Sequence, residues 1–266
     1  MINEQVLTEE FEKYRPQLRS FILRMTASIE DSKDIVQETY IKAFKNIQSF
    51  RSDSTLKTWL FSIATNLSKD FLRSKKLWPE TVTDICREKA LGSPEFLKQM
   101  MNISQTSPHG NFEIREHIAF CFTCIEKSLP IEQQVALLLK EVYEFKVQEI
   151  AEIMNITEGV VKHALHNSRQ KMIEIFDRRC SLINKTGICH QCSELNGMFN
   201  PKHELQKELM KIEMARDAGT KNKEELFDLR TQIVKSIDPF NSAASELELY
   251  HLEHNRNVME EYLVKN

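Results

Sequence analysis

Glycine and proline are scarce in this chain, at 6 and 7 of its 266 residues. β-Branched residues rarely alternate with polar ones, so the period-two pattern of a half-buried strand is missing as well. The sequence instead has long stretches in which apolar residues recur at helical spacing. We therefore predict a nearly all-helical protein, long enough for two small domains or more.

An excess of positive charge and long apolar runs are also absent. The net charge of −3 argues against a generally basic nucleic-acid binder, so any positive surface must be local. Residues 181–266 contain 11 basic and 14 acidic side chains, which leaves the first 180 residues balanced. No apolar run has transmembrane length and the N-terminus has no signal-peptide core, so we expect a cytoplasmic protein. Six cysteines in that compartment are more often reduced or metal-bound than paired.

Residues 147–176 have the pattern of two amphipathic helices joined by a short break. Ile150 and Ile153 form the apolar face of the first run, and Thr157 after the break is a good N-cap for the second. Such a pair, with basic and amide side chains facing outward, is typical of a DNA-reading helix-turn-helix. The alternative is a helical hairpin whose polar face is only solvated. The candidate major-groove contacts are Lys162, His163, His166, Asn167 and Arg169.

Three further amphipathic helices are predicted before residue 77, with Asp31 or Ser32 as the N-cap of the second. The third begins at Leu56 and places Trp59 beside basic and amide side chains. Single-stranded nucleic acid is bound by such a surface, because bases stack on rings while cations hold phosphates. The alternative is that Trp59 belongs to the core and that the charges are only solvated.

Three runs in this first part resemble region two of bacterial sigma-70 factors, and most closely the extracytoplasmic-function (ECF) group. They are DIVQETYIKAF from Asp34 to Phe44, SFRSDSTLKTWLFSIATNL from Ser49 to Leu67, and DFLR from Asp70 to Arg73. The helix-turn-helix stretch resembles region four of the same group, in the expected order and separation. The resemblance implies a sigma factor that binds core RNA polymerase and directs promoter recognition at the −10 and −35 elements. We find no phosphate loop, nucleophile elbow or acid–base constellation, so we expect no enzymatic activity.

The resemblance also implies which residues make each contact. The helix-turn-helix residues given above would read the −35 element, although His163–Ala164 replaces the usual small-then-arginine pair and leaves the promoter sequence open. Asn155 stands in the turn where glycine is usual, which is tolerable because asparagine accepts left-handed geometry. The residues assigned to core polymerase are Asp34, Gln37 and Glu38. Those assigned to the −10 element are Arg51, Lys57, Trp59, Ser62, Asn66 and Arg73.

The predicted organisation is two helical domains, a linker and a C-terminal extension. The extension has no counterpart in the family and either covers region four or docks a further protein, as its length and acidic balance suggest. The linker is expected to contain one short helix at Pro94–Met101. The segments are region two at 1–76, the linker at 77–113, region four at 114–180, a cysteine-rich turn segment at 181–202 and the helical extension at 203–266.

The cysteines suggest a structural zinc site. Cys189 and Cys192 have the C-x₂-C spacing of a zinc knuckle, and Cys121 and Cys124 lie at i and i+3 of a predicted helix, so the four thiolates can close a tetrahedral site. The alternative for the second pair is ordinary core packing. The substitute ligands are Cys180, His190 and His203.

Two other classes of function compete with the sigma-factor prediction. A stand-alone helix-turn-helix regulator would leave Asp34–Arg73 unexplained. A thiol-redox enzyme built on Cys121 and Cys124 would lack the βαβ context that such a motif needs.

Overall fold

A computed structural model describes residues 3–50, 54–75, 78–79, 81–106, 114–180, 213–240 and 245–265. Over these residues the regular structure is helical and contains no strand, which confirms the all-α prediction. A π-helical turn at Leu138–Val142 follows the seventh helix. The α-helices are α1 Glu4–Thr26, α2 Ile29–Lys45, α3 Leu56–Lys75, α4 Val82–Leu91, α5 Pro94–Thr106, α6 Ile114–Glu126, α7 Ile131–Leu137, α8 Val147–Met154, α9 Glu158–Arg179, α10 Glu213–Arg216, α11 Lys223–Ser236 and α12 Ser245–Lys265.

The first of two compact units comprises Met1–Leu77 and Pro130–Ser168. Helices α1, α2 and α3 pack against one another, and α8 packs on α3. Tyr143 links the two segments, because its ring meets Phe21 edge-on at 5.6 Å between centroids and its hydroxyl donates to Ser20 Oγ at 3.0 Å. The residues predicted as region two therefore share one core with the first half of the helix-turn-helix segment.

The second unit comprises Trp78–Leu129 and Arg169–Asn266. Helix α11 packs on α6, and α12 packs on α4 and α5. Phe122, Phe176 and Phe227 bring α6, the end of α9 and α11 together, with ring centroids 6.2–6.5 Å apart. The boundary between the units falls inside α9, so they divide the chain differently from the predicted segments, which stay a prediction.

The start of α2 differs from the prediction. Ser28, rather than Asp31 or Ser32, is the N-cap, and its Oγ accepts from the backbone N–H of Asp31 at 3.2 Å. The preceding residue, Ala27, has a φ of 55° and ends α1 in the left-handed region. The N-cap is therefore three residues before Asp31, and Glu30 and Asp31 lie in the first turn of α2.

The predicted linker contains two helices rather than one short one. Helix α5 extends to Thr106, beyond the predicted Pro94–Met101, and α4 was missed. Val82, Cys86 and Ala90 form a buried i, i+4, i+8 row on α4. Two of these residues are small, so the row is a weak sequence signal. In the extension, which was predicted to be helical, α11 and α12 are helices, and residues 203–212 lie outside the described residues.

Candidate nucleic-acid interface

The turn between α8 and α9 has the geometry of a helix-turn-helix. Asn155 ends α8 with a φ of 53°, and its backbone N–H bonds to the carbonyls of Ala151 and Glu152. An asparagine therefore takes the left-handed position that glycine usually fills. Thr157 Oγ1 accepts from the backbone N–H of Val160 at 3.4 Å, as an N-cap hydroxyl does.

The first half of α9 presents polar side chains to solvent over a buried apolar row. Val161 and Ser168 are fully buried. Lys162, His163 and His166 are exposed, whereas Asn167 is half-buried. The amide nitrogen of Asn167 lies 3.3 Å from His163 Nδ1, so these two side chains form one hydrogen-bonding group. Sequence reasoning missed Val160, an apolar residue that is 52% exposed in the first turn, where recognition helices contact base edges.

Arg169 has a different environment, within the second unit. It is half-buried, and its Nη2 donates to Asp228 Oδ1 of α11. Its guanidinium carbon also lies 4.7 Å from the ring centroid of Phe227. One helix of the C-terminal extension therefore contacts a residue predicted to read DNA.

The groove between α2 and α3 brings together two of the residues predicted for the −10 element. The ring of Trp59 lies 5.3 Å from that of Phe50 between centroids, tilted by 58°, and Trp59 and Asn66 border an open cavity of about 270 Å³. Ser62 donates instead to the Trp59 carbonyl at 2.7 Å, and Arg51 lies outside the described residues. The cavity is lined by Lys42, Asn46, Ser49, Trp59, Ile63, Asn66 and Leu67. Sequence reasoning missed Asn46 and Ser49, polar residues beyond the last apolar position of α2.

The cation Lys57 packs against the aromatic ring of Phe145 in the first unit. Its Nζ lies 4.6 Å from the ring centroid. Burial lowers the pKa of Lys57, and the nearby carboxylates of Glu149 and Glu144 offset only part of that shift. The Lys57 charge is therefore partly desolvated before any ligand arrives.

The cation Arg73 is paired with an acid in the same unit. Its Nη2 donates to Glu132 Oε1 at 2.9 Å, and Lys69 Nζ lies 3.8 Å from the same oxygen. Burial raises the pKa of Glu132. Its own backbone N–H, the hydrogen bond from Arg73 and the charges of Lys69 and Arg73 outweigh burial and lower that pKa below its usual range.

The three residues predicted to contact polymerase are exposed on α2. Asp34, Gln37 and Glu38 all face solvent. Phe44, seven residues after Gln37 on the same helix, is 38% exposed and was missed by the sequence reasoning. An exposed aromatic residue on the same helix as the acids could have been found from its position outside the apolar stripe.

The structure describes the cysteine pair of α6, whereas Cys189 and Cys192 lie outside the described residues. Cys121 is buried and Cys124 is half-buried, one helical turn apart. Asn255 Nδ2 lies 3.6 Å from Cys124 Sγ. Among the described residues, no three His, Cys, Asp or Glu side chains are grouped so that they can hold a metal ion. No helix in the described ranges is both long and apolar enough to span a membrane.

Comparison with known proteins places this geometry in a family. Residues 11–77 match Sigma-70 region 2, and residues 122–172 match Sigma-70 region 4. The ECF RNA polymerase sigma-E factors of Salmonella typhimurium LT2 and Escherichia coli K12 are each 30% identical over 182 residues, which cover 64% of this chain and 92% of those proteins. The chain belongs to the ECF sigma factors.

More distant sigma factors are also similar. ECF sigma factor SigG of Mycobacterium tuberculosis is 29% identical over 171 residues, or 60% of this sigma factor and 46% of SigG. Sigma factor RpoE of Bartonella quintana, solved in complex with the anti-sigma factor NepR, covers 63% of the chain at 20% identity with a TM-score of 0.42. Mycobacterium tuberculosis SigJ covers 71% at 19% identity with a TM-score of 0.40.

Proposed function

We propose that this sigma factor directs core RNA polymerase to promoters through two DNA contacts, one by α9 at the −35 element and one by α2 and α3 at the −10 element. The observation that carries the proposal is the order of the two sigma regions along one chain. The helices of each region present an exposed polar face. Because RNA polymerase is its proposed partner, we propose that the protein acts in the cytoplasm. We assign it no reaction of its own.

The −35 contact is supported by the exposed row of α9. The first turns of a recognition helix contact base edges in the major groove. Lys162 can donate to a guanine, and Asn167 can pair with an adenine edge. The bond from Asn167 to His163 fixes the amide before DNA arrives, which lowers the entropic cost of that contact.

The −10 contact is supported by the cavity beside Trp59. A single-stranded base stacks on an aromatic ring, and its edge needs hydrogen-bonding partners. Asn66, Asn46 and Lys42 supply amide and ammonium groups around the cavity. We propose that an unstacked base of the melted strand occupies it.

The polymerase contact is supported by the acidic strip on α2. Asp34 and Glu38 are four residues apart on the helix and both exposed, so their charges add on one surface. Such a strip favours a partner surface with positive charge. Charge-reversing substitutions Asp34→Lys and Glu38→Lys should weaken competition for core polymerase and leave the helical content unchanged.

The test of the whole proposal is initiation in vitro with purified core polymerase and a promoter selected by the wild-type holoenzyme. Asn167→Ala should reduce initiation by about 5- to 150-fold if its amide pairs with a base, because a bidentate base contact is worth about 1–3 kcal/mol. Lys171→Ala is the matched control, because Lys171 is exposed on the same helix beyond the first turns. Equal initiation by both variants would remove Asn167 from the reading surface.

The cysteines are the basis of a second proposal, a structural zinc site. Its support is the position of Cys121 and Cys124 one turn apart on α6, with Cys189 and Cys192 as the further ligands. Four thiolates satisfy the tetrahedral geometry that structural zinc prefers. Elemental analysis of protein purified without chelator should find one zinc per chain, and Cys189→Ser with Cys192→Ser should remove it. Metal-free protein with thiols that all react freely in the folded state would end the proposal.

The extension is the basis of a third proposal, the docking of a further protein by residues 203–266. Its support is the end of α12, where Tyr262, Leu263 and Val264 are exposed apolar side chains, with Val264 at 88%. Polar replacements of Leu263 and Val264 should lower occupancy of promoters in cells without changing initiation in vitro. Unchanged occupancy would favour the alternative, in which the extension only covers region four.

A further inference from the structure

We infer that helix α11 of the C-terminal extension competes with promoter DNA for Arg169, and that Asp228 is the residue that holds the arginine. The inference rests on the proposed −35 contact and adds to it an internal competitor within the second unit. The sequence predicted Arg169 as a DNA contact, whereas the structure places its guanidinium against Asp228 and Phe227.

Two contacts of different kinds hold the guanidinium. Its Nη2 donates to the Asp228 carboxylate, and its carbon lies 4.7 Å from the centroid of the Phe227 ring. The Arg169 side chain is only 27% exposed, while that of Asp228 is 55% exposed. The carboxylate accepts a hydrogen bond in the plane of the guanidinium group, and the ring contacts the face of that plane.

Asp228 is kept beside Arg169 by packing as well as by the ion pair itself. Phe227 is 2% exposed and belongs to the aromatic cluster with Phe122 and Phe176. Arg230, one turn further along α11, stacks on Phe176 with its guanidinium carbon 3.6 Å from the ring centroid. Helix α11 therefore stays in place if the ion pair alone is broken.

A second ion pair joins the same two helices. Lys223 Nζ lies 2.7 Å from Asp177 Oδ2, where α11 begins and α9 approaches its end. Both side chains are largely exposed, so this pair contributes little stability. Together the two ion pairs show that α11 runs antiparallel to the second half of α9, in a register that sets Asp228 beside Arg169.

The competition follows from the chemistry of the guanidinium group. A carboxylate, a phosphate and the O6/N7 edge of guanine all accept from the same fork of N–H donors. A donor engaged by Asp228 is not available to the DNA, and the exposed carboxylate repels approaching phosphates. Removing the charge of Asp228 should therefore strengthen DNA binding through Arg169.

The experiment compares two variants of the full chain that lose the same charge from the same helix. Asp228→Asn keeps the size of the side chain but weakens its hold on Arg169. Glu224→Gln is the matched control, because Glu224 is exposed one turn earlier and forms no ion pair with Arg169 among the described residues. The probe is a fluorescein-labelled duplex that the wild-type chain has selected from a randomised pool, and the readout is the dissociation constant by anisotropy.

Asp228→Asn should bind the duplex about 3- to 10-fold more tightly than the wild type, which corresponds to a partly screened ion pair, and Glu224→Gln should bind within about twofold of it. Arg169→Ala with Asp228→Asn should gain less than about twofold over Arg169→Ala alone, because the held residue is gone and only the repulsion of phosphates by one exposed carboxylate is removed. Equal dissociation constants for Asp228→Asn and Glu224→Gln would overturn the inference and leave the −35 proposal intact. If Asp228→Asn gains as much without Arg169 as with it, Arg169 is not the contact that Asp228 controls and the inference is wrong, while the −35 contact of Lys162 and Asn167 keeps its own test, Asn167→Ala.

Discussion

The two compact units place predicted DNA-contacting cations on aromatic rings in the same way. In the first unit Lys57 Nζ lies 4.6 Å from the centroid of Phe145, and in the second the Arg169 guanidinium carbon lies 4.7 Å from that of Phe227. Both rings are buried. A cation over a ring face gains about 0.5–2 kcal/mol, depending on how far it is desolvated. Each unit thus holds a cation that is predicted to contact nucleic acid against a buried ring of its own.

The difference between the units lies in the acid that accompanies the cation. In the first unit Glu132 pairs with Arg73, and their side chains are 50% and 54% exposed. In the second unit Asp228 pairs with Arg169, which is half as exposed as Arg73 and is also the residue on the ring. Water screens the first pair from both sides and the second from one side only. An arginine–carboxylate pair is therefore a weak surface contact in the first unit, whereas in the second unit we infer that it competes with DNA for the arginine.

The largest effect should come from removing the rings. Phe227→Ala and Phe145→Ala should each lower the free energy of unfolding by about 3–5 kcal/mol, because each deletes a buried aromatic side chain and leaves a cavity. Urea unfolding followed by circular dichroism measures the loss. Phe44→Ala, at an exposed position, should cost under about 1 kcal/mol. If only one of the two rings is costly to remove, the parallel between the units fails.

Acidic pH should destabilise the second unit more than the first, although by less than the loss of a buried ring. Burial lowers the pKa of His251 on α12 to about 3, and burial together with the charge of His251 lowers that of His254 to about 4. A histidine with a lowered folded pKa gives full stability above its unfolded value near 6.5, and the stability is lost as the pH falls below that value. At pH 5 the loss from His251 is about 2 kcal/mol. The described histidines of the first unit, His163 and His166, are exposed.

Amide hydrogen exchange at pH 7 and pH 5, corrected for intrinsic rates, measures each unit separately. Protection of α12 should fall by more than tenfold relative to protection of α3. His251→Leu should flatten this dependence, whereas His166→Gln, at an exposed position, should leave it unchanged. Equal losses of protection in α3 and α12 would mean that His251 does not make the second unit acid-sensitive.

Sequence reasoning succeeded where the signal was local and failed where it was tertiary. The stripe of α3 and the turn at Asn155 depend on residues a few positions apart, so their pattern was sufficient to predict the helices and the helix-turn-helix. The pairs Arg73–Glu132 and Arg169–Asp228 each join residues 59 positions apart. No periodicity encodes such a separation, because it depends on how finished helices pack.

The smallest effect should come from the acid of the first unit. Glu132→Gln should lower the free energy of unfolding by under about 1 kcal/mol at pH 7 and low salt, since both side chains of its pair with Arg73 are half-exposed. The contribution should vanish in about 1 M salt, where the screening length is roughly 3 Å. Glu152→Gln, an exposed acid on α8 in the same unit, should have no salt-dependent effect.

The pH dependence of this pair has a definite sign. Because the pKa of Glu132 is lowered in the folded chain, its contribution is present above the ordinary value near 4.5 and is lost as the pH falls through the lower folded value. The difference in unfolding free energy between wild type and Glu132→Gln should therefore be constant from pH 7 to pH 5 and shrink below 4.5. A difference that instead shrinks between pH 7 and pH 5 would mean that a histidine, and not this carboxylate, controls the contact. A difference above about 1 kcal/mol would show that Glu132 holds Arg73 as firmly as Asp228 holds Arg169, and the contrast between the two units would then disappear.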